Sequence, residues 1–398
     1  MAALEAAMTS ANAQVAPVPP PPDVQPRNQF VAKLDHFWRR VTEGLELSQL
    51  WKQFSADARA SYRLYHRDFA ARAPQETRKH NRWNTVQEFA WAILEKLTPA
   101  RRVLLLLGVL LMVFPSFSFR NNYGDLVDID FHFVGGGLLF VLLMLEVADR
   151  VVMKRDLEIA RDIQRWLLPA TPPQVQGLSI AFAARPANTV AGDFYDVFAR
   201  PAADSAEPHF LLAVADVAGK SIPAALLMAT FQASLKTLSE TSCSLADLVT
   251  SMNHYACTNS QSGLRFTTAF LAEFDPAARA LTYINAGHNA PILRRGSGAI
   301  ERLTNGGLPL GMWADKSYEA GNVILQSGDW LVIFTDGVVE AVNGSDEEYG
   351  EQRVLNVLQA GAATTPDELL RRIMSDLDAF VGRTPQHDDV TCMLVKAT

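Results

Sequence analysis

The fold is decided by the stretch Phe210-Leu-Leu-Ala-Val-Ala-Asp216-Val-Ala-Gly219-Lys-Ser221, in which an apolar run ends in a carboxylate and turns through glycine. The same design returns at Trp330-Leu-Val-Ile-Phe-Thr-Asp336-Gly337 and, inverted, at Asp388-Asp-Val-Thr-Cys-Met-Leu-Val395. Short apolar runs bounded by glycine and acidic turns are typical of buried strands. Because an unpaired buried carboxylate is very costly, acids that converge at strand ends indicate a divalent cation.

The composition limits the possible functions. The chain has 398 residues, enough for two or three domains, and its net charge of -7 gives no indication of nucleic-acid binding. The three cysteines, Cys243, Cys257 and Cys392, are far apart, which argues against a disulfide scaffold or a zinc site. The N-terminal segment lacks a basic region followed by an apolar one, so no signal peptide is expected.

The N-terminal quarter divides into two predicted parts. Residues 1–28 are rich in proline and alanine and predict a disordered tail. Residues 29–100 predict a helical cytoplasmic region, because Phe30, Leu34, Phe37 and Val41 share one helical face. The arginines and histidines of this region belong either to a solvated helical bundle or to a basic face lying on the inner leaflet of a membrane.

Residues 101–148 predict two transmembrane helices. Uncharged runs cover residues 103–119 and 131 to about 145, near the shortest length that spans a bilayer. A buried core helix explains one such run, but two runs separated by a short polar loop are hard to bury in a soluble domain. Lys96, Arg101 and Arg102 precede the first run, and Arg150 and Lys154 follow the second, so both ends are expected in the cytoplasm.

Residues 149–170 predict a linker helix. Leu145, Val152, Ile159 and Trp166 recur every seven residues, the spacing of a coiled coil, and Pro169 ends the pattern. The stripe favours a homodimer formed through this helix, with packing against the chain's own C-terminal domain as the alternative.

Residues 171–398 predict an α+β sandwich. Hairpin-length turns join neighbouring strands, and helices cluster in blocks, which favours antiparallel sheets over a doubly wound parallel sheet. The predicted strands are Leu178–Ala184, Phe194–Phe198, His209–Ala215, Thr267–Phe274, Ala280–Asn285, Pro291–Arg295, Val323–Gln326, Trp330–Phe334 and Val390–Val395. The predicted helices are Ile222–Leu238, Leu245–Ala256, Glu351–Leu358 and Pro366–Phe380.

The candidate metal ligands are Asp193, Asp216, Asp336 and either Asp388 or Asp389. A carboxylate set without paired histidine or cysteine suits Mg²⁺ or Mn²⁺. One carboxylate can bridge two ions about 3.5–4 Å apart, and a water between them becomes hydroxide near neutral pH. The ion pair would also neutralise a phosphoryl group, so hydrolysis needs no protein nucleophile.

Three other features have competing interpretations. Gly219-Lys220-Ser221 suggests a nucleotide-binding P-loop, but the first glycine of that motif would fall at Val214, inside the strand. His288 is expected to be a turn residue rather than a general acid. Arg185 is a candidate for binding the substrate phosphate, because arginine suits bidentate contact with oxyanions, or else a plain surface residue.

The C-terminal 60% of the chain resembles the bacterial metal-dependent Ser/Thr protein phosphatases of the type 2C (PP2C) superfamily, in the branch typified by SpoIIE and RsbU. The resemblance depends on a series of motifs taken together and not on any single motif. They are Ile159-Ala-Arg-Asp-Ile-Gln-Arg-Trp-Leu-Leu-Pro169, Gly192-Asp-Phe-Tyr-Asp-Val-Phe198, Asp216-Val-Ala-Gly-Lys220, Pro223-Ala-Ala-Leu-Leu-Met228, Thr267-Thr-Ala-Phe270, Asn285-Ala-Gly-His-Asn289, Gly307-Leu-Pro-Leu-Gly311, Phe334-Thr-Asp-Gly337 and Asp388-Asp-Val-Thr391.

The resemblance implies an α-β-β-α sandwich with a two-metal centre at one end. In it, Asp216 would bridge both ions, the Val217 carbonyl would bind one, and Asp336 and Asp388 would complete the shell of the second. Asp193 would hold the site through metal-bound water or a further ion. Asp388 matches the family ligand position better than Asp389. Two positions depart from the family pattern, Ala191 and Ser221, each where glycine is frequent, and neither removes a ligand.

The resemblance further implies hydrolysis of phosphoserine or phosphothreonine on a regulatory protein, commonly an anti-sigma-factor antagonist. The two predicted spans add the expectation of a bacterial inner-membrane protein with its phosphatase domain in the cytoplasm. Two alternatives remain at this point. One is a catalytically inactive, membrane-anchored protein whose sandwich only binds a partner, which would require decayed metal ligands. The other is a transporter fragment, which membrane runs without internal charge support poorly.

Overall fold

The computed structural model of the protein describes residues 97–114, 117–120, 126–202, 207–259, 265–360 and 365–398, together with positions 91, 94 and 95. The predicted tail at 1–28 and nearly all of the predicted helical region at 29–100 lie outside the described residues. The chain divides into two compact units, residues 1–142 and residues 143–398.

The first unit contains a helix, a β-hairpin and the start of a long helix. Helix α1 (Pro99–Val113) is followed by β1 (Phe117–Arg120), which pairs antiparallel with β2 (Leu126–Ile129) before α2 (Phe131–Leu167) begins. The first uncharged run extends to Phe119 in the sequence, but its helix ends at Val113. Pro115 follows the last turn of α1, and the chain continues as a strand, so the expected polar loop is partly a β-hairpin.

Helices α1 and α2 approach closely within this unit. A Cβ atom on Gly135 would lie 2.9 Å from the Gly108 carbonyl oxygen, whereas Gly136 and Gly137 have open space around them. Glycine is needed at Gly135 because the two backbones meet there. Of the described helices, α2 is long and apolar enough to cross a membrane, and 11% of its most apolar window is buried. Helix α1 has 15 residues, so the two-span hairpin stays a prediction.

Residues 178–397 form two stacked sheets. The strands are β3 (Leu178–Arg185), β4 (Phe194–Arg200), β5 (His209–Val217), β6 (Thr267–Asp275), β7 (Ala280–Ala286), β8 (Ile292–Arg294), β9 (Ile300–Arg302), β10 (Gly306–Gly307), β11 (Gly321–Ile324), β12 (Trp330–Phe334) and β13 (Val390–Ala397). The first sheet has the strand order β10-β7-β6-β5-β4, with β11 also paired to β7, and the second has the order β3-β13-β12-β8-β9. Neighbouring strands are antiparallel except for β10 and β7.

Helices cover both outer faces of the sandwich. One apolar cluster fills the space between the sheets, a second joins the first sheet to α3 (Ser221–Ser239) and α4 (Leu245–Asn259), and a third joins the second sheet to α6 (Glu351–Gln359) and α7 (Pro366–Val381). Helix α5 (Asp336–Val339) is a single turn after β12. Thr365 caps α7 by accepting a hydrogen bond from the Glu368 amide, and Pro366 occupies the first turn, where proline is tolerated. The predicted α+β sandwich is confirmed.

Candidate active site

Four of the predicted acids lie where strands of both sheets end. Asp193 precedes β4 and Asp216 is near the end of β5, in the first sheet. Asp336 follows β12 and Asp388 precedes β13, in the second sheet. Because β12 and β13 are antiparallel neighbours, the end of one and the start of the other meet at one edge. The antiparallel pairing of β4 with β5 brings Asp193 and Asp216 together in the same way.

The electrostatics show that these acids share one site. Burial, followed by the negative charges of Asp336 and Asp388, raises the pKa of Asp216 to about 7. Burial and then the charge of Asp216 raise the pKa of Asp193 well above its ordinary value, and burial with the charge of Asp388 raises that of Asp336. Carboxylates that raise one another's pKa are close enough to repel, and a divalent cation would offset that repulsion.

Thr335 ties the two sheets together at this point. Its hydroxyl donates to Asp193 Oδ2 at 2.9 Å and accepts the Thr391 amide at 3.0 Å. Thr335 is fully buried. The hydrogen bond therefore fixes the Asp193 carboxylate of one sheet against the end of β12 in the other.

Asp389 has a different environment from Asp388. Its two carboxylate oxygens accept the amides of Ala187 and Gly192 at 2.7 and 2.6 Å. Burial raises the pKa of Asp389, and these two backbone hydrogen bonds act in the opposite direction. The Asp389 side chain thus holds the loop before β4 that carries Asp193, whereas the Asp388 side chain is 42% exposed and open to a ligand.

Lys220 neutralises Asp388. Its ammonium group lies 3.0 Å from Asp388 Oδ2 and donates to the His387 carbonyl at 2.6 Å. The turn that carries it places Gly219 at a φ of 123° and Ser221 at 63°, both in the left-handed region. Ser221 therefore has a backbone conformation that favours glycine.

The oxygen atoms that could bind a metal here are of the type that hard divalent cations prefer. Among the residues that the structure describes, no three histidine, cysteine, aspartate or glutamate side chains stand ready in metal-binding geometry. Asp388 is paired with Lys220, so its carboxylate faces an ammonium group in this structure. All the converging groups are carboxylates, which Mg²⁺ and Mn²⁺ prefer, and the Val217 carbonyl lies beside Gly192, where an added Cβ would be 3.2 Å from it.

Helix α2 contacts the loop that carries Asp193. The Gln164 side chain is buried, donates to the Ala191 carbonyl at 2.7 Å and accepts the Ala191 amide at 2.9 Å. Ala191 is two residues before Asp193. The end of the predicted linker helix therefore packs on its own domain at Gln164, while Val152, Ile159 and Trp166 of the heptad stripe are 59%, 50% and 82% exposed.

We expect Gln164→Ala to weaken Mn²⁺ binding by roughly 10-fold, because groups that orient metal ligands typically contribute 10- to 100-fold in affinity. The substitution leaves both polar groups of Ala191 without their partner and frees the Asp193 loop. Calorimetric titration of the purified full chain with Mn²⁺ measures the effect. Arg161→Ala, an exposed change on the same helix, is the matched control and should bind as the parent does. Equal affinity in both variants would contradict this role.

Two further candidates are placed differently from the acids. Arg185 ends β3, and its guanidinium contacts Asp378 of α7 at 2.5 and 3.1 Å, so its side chain stands in an ion pair near Asp388. His288 lies in a turn, where its amide donates to Asn285 Oδ1, and the side chain is buried with its Nδ1 3.1 Å from the Thr268 hydroxyl. Burial lowers the pKa of His288 to about 4, which keeps the ring neutral near pH 7.

Sequence reasoning missed the roles of Thr335, Gln164 and Lys220. Thr335 and Gln164 both lie within motifs quoted above, next to Asp336 and before Pro169, and Lys220 lies in the turn after Asp216. Their partners are distant in the chain, and a single sequence gives no signal for such long-range hydrogen bonds.

The C-terminal part of the chain is similar to known proteins. Residues 206–398 match the family model of Stage II sporulation protein E (SpoIIE). Protein IcfG of Synechocystis sp. is 29% identical over 280 residues, which cover 64% of this chain and 43% of IcfG. Phosphoserine phosphatase RsbU of Bacillus subtilis is 28% identical over 254 residues, which cover 61% of this chain and 70% of RsbU. The chain thus spans less than half of IcfG.

The fold also has a solved counterpart. The SiaA-PP2C domain of Pseudomonas aeruginosa superposes with a TM-score of 0.54 at 23% sequence identity, covering 63% of this chain and 98% of that domain. At this level of identity the likeness establishes the architecture of the two sheets and their flanking helices.

Proposed function

Because the C-terminal domain of this chain is a SpoIIE-family domain with the PP2C fold, we propose that it hydrolyses phosphoserine or phosphothreonine on a regulatory protein, using two divalent cations, Mn²⁺ or Mg²⁺. The observation that carries the proposal is the convergence of Asp193, Asp216, Asp336 and Asp388 from both sheets.

Each residue has a proposed role. Asp216 lies among the other acids and would bridge the two cations, the Val217 carbonyl would bind one, and Asp336 with Asp388 would bind the second. Asp193, fixed by Thr335, would orient water at the site. The bound cations would supply an activated water and neutralise the phosphoryl charge. Lys220 is paired with Asp388 Oδ2, so its ammonium group would lie near the phosphoryl oxygens of a substrate bound there.

The proposed substrate is a phosphorylated protein. RsbU is named a phosphoserine phosphatase, and it matches 61% of this chain. We extend that activity to this chain, with an anti-sigma-factor antagonist as the expected type of substrate. The alternative, a partner-binding domain without catalysis, would require lost metal ligands, and the acids of the site are all present.

We further propose that the chain is anchored in the bacterial inner membrane, with the phosphatase domain in the cytoplasm. The apolar helix α2 and the close approach of Gly108 and Gly135 support a hairpin of two spans. The exposed stripe at Val152 and Ile159 supports a homodimer formed through this helix, which disulfide cross-linking of a Val152→Cys variant tests.

The function is tested on membranes that contain the full chain. We expect the protein to sediment with the membranes and to release phosphate from a phosphoserine peptide when Mn²⁺ is added. A chelator should stop the reaction, and re-addition of Mn²⁺ should restore it, because the four acids require a cation to act together. Calorimetry that finds no binding of Mn²⁺ or Mg²⁺ would favour the partner-binding alternative. Full activity in the chelator would overturn the metal-dependent mechanism.

A further inference from the structure

A cleft lies directly beside the metal-binding edge. It separates the C-terminal half of α7 from the segment 340–342 and the loop 385–388, and its volume is about 200 Å³. Its lining includes Asp388 and Gly337, so the cleft is continuous with the candidate active site. We refer to it as the α7 cleft.

One wall of the α7 cleft is apolar, and Glu340, Gln386 and His387 lie among the polar residues that line the rest of it. Leu377 and Val390 are each 2% exposed and form fixed parts of the wall, and the half-buried Val342 and Val381 add to it. The third apolar cluster, which packs α7 on the second sheet, contains Leu377 and Val390, and Val381 packs against it, so this wall is part of the packed core. A packed apolar wall is suited to an apolar group of matching size.

The rim of the α7 cleft is charged. Arg185 and Asp378 pair across one side, and Lys220 pairs with Asp388 on the side that faces the acids. A substrate phosphoryl group at the acid cluster would therefore lie next to the Lys220 and Arg185 side chains of the rim, and the cleft would lie beyond it. The volume is below the roughly 300–1,000 Å³ of pockets that bind drug-sized ligands, which suits one side chain.

We propose that the α7 cleft binds an aliphatic side chain of the phosphoprotein, adjacent in sequence to the phosphorylated residue. This inference rests on the proposed function and specifies its substrate. Successive residues of an extended chain are about 3.3–3.6 Å apart, so a neighbour of phosphoserine reaches a recess that shares Asp388 with the site. The cleft thus selects the segment that is dephosphorylated, while the cations act on any phosphoryl group.

The test uses the full chain in membranes with Mn²⁺ and three kinds of substrate. They are p-nitrophenyl phosphate, phosphoserine peptides with leucine on one side of the phosphoserine, and the same peptides with serine in place of leucine. We expect kcat/KM for one leucine peptide to exceed that of its serine counterpart by roughly 10-fold, the typical effect of a hydrophobic subsite. Val381→Glu should abolish that preference and leave p-nitrophenyl phosphate hydrolysis unchanged.

Val342→Glu, on the opposite wall, is a second variant with the same expected result, which matters if Val381→Glu fails to fold. Val323→Glu is the matched control, because Val323 is a half-buried valine on β11, remote from the acids. Hydrolysis of p-nitrophenyl phosphate without any leucine preference would overturn the inference and leave the proposed function intact. A preference that survives both cleft variants would also overturn it. If the protein hydrolyses none of the three kinds of substrate, both proposals are contradicted.

Discussion

Asp216→Asn is expected to lower Mn²⁺-dependent kcat/KM toward a phosphoserine peptide by at least about 100-fold. Metal ions typically supply several kcal/mol of transition-state stabilisation, and each 1.36 kcal/mol is tenfold in rate. Asp216 interacts with Asp193, Asp336 and Asp388, so it is the acid best placed to hold two cations together. Steady-state kinetics over a range of Mn²⁺ concentrations, with calorimetry of the same samples, measures the loss.

The same variant provides its own control for folding. The pKa of Asp216 is raised from 3.8 to about 7, first by burial, so ionisation of this group costs the metal-free fold stability as the pH rises from about 4 to above 7. Asparagine removes that cost. The metal-free Asp216→Asn protein should therefore unfold at pH 8 at a temperature equal to or above that of the parent. Retention of full activity by a variant that binds Mn²⁺ normally would disprove the bridging role.

Much of the fold follows from local pattern. The apolar runs that end at Asp216 and Asp336 are strands in the structure, and the antiparallel arrangement follows from their hairpin-length connections. The strand predicted at Val323–Gln326 occurs two residues earlier, at Gly321–Ile324, because its pairing with β7 and not its own composition sets the register. Strands β9 and β10 were not predicted, since runs of two or three residues carry no periodicity.

The segment that follows α1 shows where apolar composition is insufficient to predict a helix. Phe117-Ser-Phe119 continues the uncharged run that predicts the first span, but Pro115 separates it from α1 and its alternation suits a strand. At the site, the sequence pattern identified the acids but did not show how their roles differ. The two amides on Asp389 and the lysine on Asp388 are contacts between distant segments, and they give neighbouring aspartates different environments.

Gly337→Ala is expected to disable the site by a steric clash, although it changes none of the acidic residues. A Cβ atom at Gly337 would meet the Asp389 carbonyl oxygen and the backbone of Asp388, so α5 and the start of β13 would have to separate. That movement would part Asp336 from Asp388, and we expect Mn²⁺ binding to be lost in calorimetry. Overpacking typically costs about 1–3 kcal/mol, which corresponds to a fall in Tm of roughly 2–10 °C for a domain of this size.

Gly344→Ala is the matched control, because Gly344 has open space around it and no left-handed φ. It should retain both Mn²⁺ affinity and Tm. Since Gly337 itself offers no side chain to a metal, loss of binding in Gly337→Ala alone would mean that the spacing of Asp336 and Asp388 is what the site requires. Normal Mn²⁺ affinity in Gly337→Ala would instead mean that these two acids tolerate displacement, and the proposed shell of the second cation would then be incorrect.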